Sequence, residues 1–149
     1  MVYSSRSIPG GVAETFFMPF SYQIDQDRFM VTVAINQELC SAGAREFVSK
    51  LRADPALEPC MPVLVDATGV SGVSIDRAGI KAVVDVLEAT ANPAPGQSRT
   101  AIVVHKTGLA LLADLFAASV TNRGLKHHVR AFPDAEEARH WLNEASFQV

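Results

Sequence analysis

The chain has 149 residues, of which 48% are hydrophobic, 19% charged and 7% aromatic, the balance of one ordinary globular domain rather than a disordered or fibrous chain. A chain of this length buries roughly 70% of the surface its unfolded form exposes and needs no metal or disulfide to fold. The net charge of −3, from 13 Lys and Arg against 16 Asp and Glu, is scattered without a basic block, which argues against nucleic acid as a partner.

The segment 1–18 holds Ser4, Ser5, Ser7 and Pro9-Gly10-Gly11, then the apolar Phe16-Phe17-Met18. Its composition favours turns, so it reads as an N-terminal extension to a single domain at 19–149, with the apolar triplet covering a sheet edge or a partner subunit. Met1 to Arg6 lacks the regions of a secretory signal, and a cytoplasmic protein is expected. Cys40 and Cys60 form no Cys-x-x-Cys and read as reduced thiols.

Phe20 to Ile24 and Phe29 to Ile35 are β-favouring runs around Asp25-Gln26-Asp27-Arg28, which reads as a hairpin. Ala44, Phe47, Val48 and Leu51 then recur at helical spacing, with Ser41 as cap and Asp54-Pro55 as stop. Pro62 to Asp66 is a short apolar run of a buried strand, followed by a loop through Thr68-Gly69-Val70-Ser71-Gly72. Ile80, Val83, Val84 and Leu87 mark a second helix, capped by Ser74, with Asp76 near its positive end and Pro93, Pro95 and Gly96 ending it. Thr100 to Val104 repeats the buried-strand pattern. Leu109, Leu112, Phe116 and Val120 form a third stripe, ending at Gly124. This stripe contains the longest apolar run, but Asp114 interrupts it and it falls short of the roughly 20 residues that cross a bilayer. His127 to Phe132 reads as the last strand. Asp134 and Glu137 stand at capping-box spacing before Ala138, Trp141 and Leu142.

Strand, strand, helix, then three strand-helix pairs give an α/β class: a mixed, mostly parallel five-stranded sheet opened by an antiparallel hairpin. In such sheets ligands usually bind beyond the carboxyl ends of the strands. That rule nominates Asn36 and the adjoining Gln37; Asp66, Thr68, Ser71, Ser74 and Asp76; and His105, Lys106 and Thr107. Ser74 and Thr107 fall where free helix-start amides could hold an anion.

Sharper motifs are missing. There is no Gly-x-x-x-x-Gly-Lys-Ser/Thr, Gly-x-Gly-x-x-Gly or His-Glu-x-x-His. Gly69-Val70-Ser71-Gly72-Val73 misplaces the second glycine of a nucleophile elbow. His127 and His128 alternate on a strand and cannot jointly hold a metal. No cofactor is expected.

The run Val63-Leu64-Val65-Asp66-Ala67-Thr68-Gly69-Val70, then Ile75-Asp76-Arg77-Ala78-Gly79-Ile80, resembles the STAS domain of sulfate transporters and anti-sigma-factor antagonists. Gly108-Leu109-Ala110 and the stretch Val129 to Leu142 look like the small SpoIIAA-like proteins of bacteria, which are grouped with STAS and CRAL-TRIO lipid-binding folds. The likeness spans about Tyr22 to Leu142. It implies a non-enzymatic regulatory or binding module with a protein or small-molecule partner. The phosphorylated serine of the antagonist motif is matched here by Ala78, which cannot be phosphorylated. Two alternatives stand beside that expectation. One is a carrier of an apolar ligand or lipid, since the helix stripes are rich in Leu, Val and Phe. The other is a small enzyme using Asp66 and His105 as acid and base. The exposed edge of the hairpin also makes a homodimer an expectation.

Overall fold

Phe20 and Tyr22, then Val31, Val33 and Ile35, are buried while the residues between them are more exposed, the period of two that seats a strand on a core. The two runs pair antiparallel from Phe20↔Ile35 to Asp25↔Met30. Their turn closes where the Arg28 amide donates to Asp25 Oδ1 at 3.0 Å and Phe29 takes a positive φ of 53°. The computed structural model describes residues 3–7, 13–17, 19–90 and 98–144.

The described elements are strands β1 (Tyr3–Ser7), β2 (Ala13–Phe17), β3 (Phe20–Asp25), β4 (Met30–Cys40), β5 (Val63–Ser74), β6 (Ser98–Val103) and β7 (His127–Phe132). The helices are α1 (Ser41–Ala53), α2 (Arg77–Ala89), α3 (Thr107–Asn122) and α4 (Ala135–Glu144). The fold class is the expected α/β, but the sheet has seven strands instead of five. The added pair, β1 and β2, comes from within the segment read as an extension. Phe16↔Ser21 and Thr15↔Tyr22 register β2 on β3, satisfying backbone groups that β3 would otherwise present as an open edge. The Pro9-Gly10-Gly11 turn, Met18 and the helix stop at Pro93, Pro95 and Gly96 lie outside the described residues.

Strand order follows chain order from β1 to β7, antiparallel as far as β4 and parallel from β4 to β7. Right-handed crossovers between successively adjacent parallel strands place their helices on one face, and α1, α2 and α3 all pack there. That face presents Val31 and Val33 of β4, Val63 and Val65 of β5 and Ile102 of β6 to Phe47, Leu51, Val83 and Leu109. α4 follows the last strand and covers the other face, where Ala138 and Leu142 meet Leu64, Ala101, Val103 and Phe132. Arg99 ties it down, with its guanidinium 4.8 Å from the Trp141 ring centroid and donating to the Trp141 carbonyl at 2.8 Å.

Several expected boundaries move. β5 runs on to Ser74, so the Thr68–Gly72 stretch is strand, not loop, and Asn36 and Gln37 lie inside β4 instead of after it. The extra length is held by pairing from Asn36↔Gly69 to Cys40↔Ser74, across register shifts where Gln37 takes a φ of 69°. Ser74 is therefore a strand residue, and the cap of α2 is Asp76, which accepts from the Gly79 amide at 2.8 Å. Ser41 does not cap α1, and Thr107 is the first residue of α3 with Lys106 at its cap. Ser41 has another use: a Cβ on Gly79 would fall 2.7 Å from Ser41 Cβ, so α1 and α2 approach through the missing side chain. The Asp134 cap is as expected, accepting from the Glu137 amide at 2.8 Å. Gly124 closes α3 at a φ of +69°. No helix among the described residues is long and apolar enough to cross a membrane.

Candidate functional site

The two faces of the sheet pack differently. On the α4 face the central residues Leu64, Ala101 and Val103 keep 3%, 0% and 3% of their accessible surface. On the opposite face Val63, Val65 and Ile102, flanked by strands and roofed by helices, stay partly exposed. Their open surface is not outside the molecule. It lines a cavity of about 360 Å³ between the sheet and α1, α2 and α3.

Side-chain size explains the void. At the β3 end Phe20 stacks on Phe47 with ring centroids 4.3 Å apart, and Tyr22 donates to Asp54 Oδ2 at 2.7 Å, so α1 is propped high. At the far end Val129 of β7 meets the cluster of Val84 and Val120 that joins α2 and α3. Between these supports the middle strands offer side chains of modest length, Val33 and Ile35 of β4, Val63, Val65 and Ala67 of β5, and Ser98, Thr100 and Ile102 of β6, and the roof stays clear of them. Protein interiors pack at crystal-like density, and this one does not close.

The cavity has a polar end. Ser98 and Thr100 begin β6, His127 begins β7, Arg52 ends α1 and Thr90 caps the end of α2, and all five line it. Helices antiparallel to the strands bring these positions together. The exposed residues of the lining, Glu58, Pro59, Thr90 and Lys126, sit at this end too, which makes it the mouth. At the opposite end the walls are Ala67, Val104, Ile75 and Leu109.

His127 organises the mouth. Its Nδ1 is hydrogen-bonded to Ser98 Oγ and its Nε2 to Thr100 Oγ1, the latter at 2.8 Å. Burial pushes its pKa down from 6.5 to about 4, with the charges of Arg52 and His128 adding to the effect. The ring is therefore neutral at pH 7, one nitrogen donating and the other accepting. Whichever tautomer holds, one of the two hydroxyls accepts from the ring and keeps its own proton to donate elsewhere. Arg52 donates through Nε to Thr90 Oγ1 at 3.1 Å and through Nη2 to the Thr90 carbonyl at 2.7 Å. Desolvation lowers its pKa.

The residues nominated from the sequence gather elsewhere. Asn36, Asp66, Thr68, Ser71, Ser74, Asp76, His105, Lys106 and Thr107 are all exposed and lie toward the carboxyl ends of the strands, away from the mouth. None lines the cavity. Their mutual bonds are local. Asp66 Oδ1 accepts from the Thr68 amide and hydroxyl at 2.9 and 2.6 Å, and Lys106 Nζ donates to the Val70 carbonyl at 3.2 Å. No hydrogen bond or ion pair joins Asp66 to His105 among the described residues. Ala78 is exposed in the first turn of α2. Among the described residues no group of three or more His, Cys, Asp and Glu could hold a metal ion.

The nominating rule works where strand order reverses and opens a crevice. Here strand order never reverses, so no such crevice forms, and the concavity lies under the helix layer. Ser98, Thr100 and His127 were not nominated because each reads as an ordinary strand residue. The signal was the period of two: Ser98 and Thr100 share a face with Ile102, so hydroxyls point where a core would put methyl groups.

No protein-family model matches the sequence, and no curated protein matches it. Among the solved structures similar to the chain, two span nearly all of it. One is an uncharacterised protein of the DUF3478 family with a SpoIIAA-like fold from Shewanella loihica PV-4, at 12% identity and a TM-score of 0.49, covering 95% of this chain and 96% of that one. The other is the anti-sigma factor antagonist SpoIIAA in its unphosphorylated form, at 12% identity and a TM-score of 0.45, covering 98% of this chain and 99% of that one. Neither likeness assigns a role to any residue.

Proposed function

We propose that the chain is a non-enzymatic binding module whose cavity takes a small, largely apolar ligand. The observation that carries this reading is the volume of about 360 Å³ beneath the helix layer, walled by aliphatic and aromatic side chains and polar only at its mouth. Ligand sites have this size and this division of polarity. Side chains that line an unfilled void lack the dispersion contacts that a packed neighbour would supply. A bound apolar molecule restores those contacts.

The test uses ten-carbon single-chain probes on protein freed of co-purified lipid by refolding. With the free probe at about 100 times Kd, linkage stabilises the native state by about 2.7 kcal/mol, read as a rise in urea midpoint. A Val65→Phe substitution, projecting a ring from the sheet into the cavity, should abolish the rise while the protein stays folded. Unchanged midpoints with decanoate, n-decanol and a decyl ammonium alike would sink the reading.

A further inference from the structure

Taking the cavity as a ligand site, we infer that its ligand is a single-chain monocarboxylate, with the hydrocarbon under α1 to α3 and the carboxylate against Arg52 at the mouth.

Three features of the mouth carry this. The first is an uncompensated cation. Arg52 is partly buried, yet its only bonds are to Thr90, and among the described residues it pairs with no carboxylate. A guanidinium withdrawn from water normally finds an anion. Its Nη1 remains uncommitted and is able to donate to a carboxylate oxygen.

The second is a surplus of donors. In either tautomer the Ser98–His127–Thr100 chain leaves one hydroxyl proton to give away, and the Thr90 hydroxyl is spent on the Val86 carbonyl at 2.6 Å. Lys126 stands exposed on the rim without a side-chain partner among the described residues. Glu58 is the carboxylate of the rim, but it is exposed, so solvent screens it. A headgroup that only accepts matches this set. The depressed pKa of His127 agrees with a ring that stays neutral beside Arg52 and leaves the anion to the guanidinium.

The third is size. At about 30 Å³ for each water-sized group, a volume of about 360 Å³ has room for at least the roughly twelve heavy atoms of a ten-carbon monocarboxylate.

Isothermal titration calorimetry at pH 7.5 and low salt, with decanoate, n-decanol and decyltrimethylammonium, separates the possibilities. Decanoate should bind tighter than decanol by about tenfold or more, the scale of a charge-assisted hydrogen bond, and the cation should be the weakest. Arg52→Gln should remove the preference and leave decanol binding within about twofold, while Arg52→Lys, keeping the charge without the fork, should lose part of it. If Arg52→Gln unfolds by losing its link to α2, the head-group series on the unaltered protein still decides. Decanol binding as tightly as decanoate, or Arg52→Gln weakening both equally, overturns the carboxylate assignment and leaves the cavity reading intact. Failure of all three probes removes the site itself and this assignment with it.

Discussion

Acid should destabilise this protein through His127 in a window set by one pair of values. The imidazole has an ordinary pKa of 6.5 in the unfolded chain and about 4 in the fold, mainly because the ring has left water. Between those values the unfolded state binds a proton that the native state does not, so stability falls as pH drops below 6.5 and the loss is complete near pH 4. At about 1.4 kcal/mol per pH unit the full effect is about 3 kcal/mol, and about 2 kcal/mol of it appears between pH 7 and pH 5. His127→Gln removes the titration but keeps a side chain able to donate and accept toward Ser98 and Thr100. Urea unfolding of both proteins at pH 7 and pH 5, in the same buffers, cancels every other titrating group. The difference in stability between the two proteins should shift by about 2 kcal/mol in favour of the variant on going to pH 5. Curves that stay parallel would show that the ring is as well hydrated in the fold as out of it, and the buried hydroxyl-imidazole chain at the mouth would have to be abandoned.

Asp76→Ala and Asp134→Ala each remove a carboxylate that accepts from a first-turn amide at 2.8 Å, and each should cost about 1 kcal/mol in urea denaturation. A Ser74→Ala control should cost less than Asp76→Ala, since Ser74 belongs to β5 and caps nothing; the opposite ranking would restore Ser74 as the cap. Gly79→Ala places a methyl group 2.7 Å from Ser41 Cβ and should destabilise by about 1–3 kcal/mol through overpacking, despite the better helix propensity of alanine. Adding Ser41→Gly should recover much of that loss, and a double variant no better than the single one would deny the close α1–α2 contact.

Much of the architecture was legible because local physics repeats with a period. The helical stripes, the hairpin at Asp25 to Arg28 and the caps at Asp134 and Gly124 follow from apolar spacing and from the few residues that suit a helix end or a tight turn. The alternation of strands and helices led to the α/β class by the same route. Boundaries were harder where pairing overrides composition: Gly69 to Ser74 is polar and glycine-bearing, yet it extends as strand because β4 supplies backbone partners for it. The first two strands were hidden for a similar reason, since the Ser-rich run of β1 and the short run of β2 become strand only where a neighbouring strand supplies backbone partners.

The place where a ligand could enter was decided by packing alone. Composition states how many apolar groups exist, but whether they touch depends on how high Phe47 lifts α1 and how little Val63, Val65 and Ala67 rise to meet it. Strand order, too, is a tertiary quantity: unreversed, it sends all three crossover helices to one side and opens no crevice at the carboxyl ends. Arg52, Ser98 and His127 are distant in the chain and unremarkable in isolation, and only the antiparallel return of each helix to the start of the next strand brings them around a single opening.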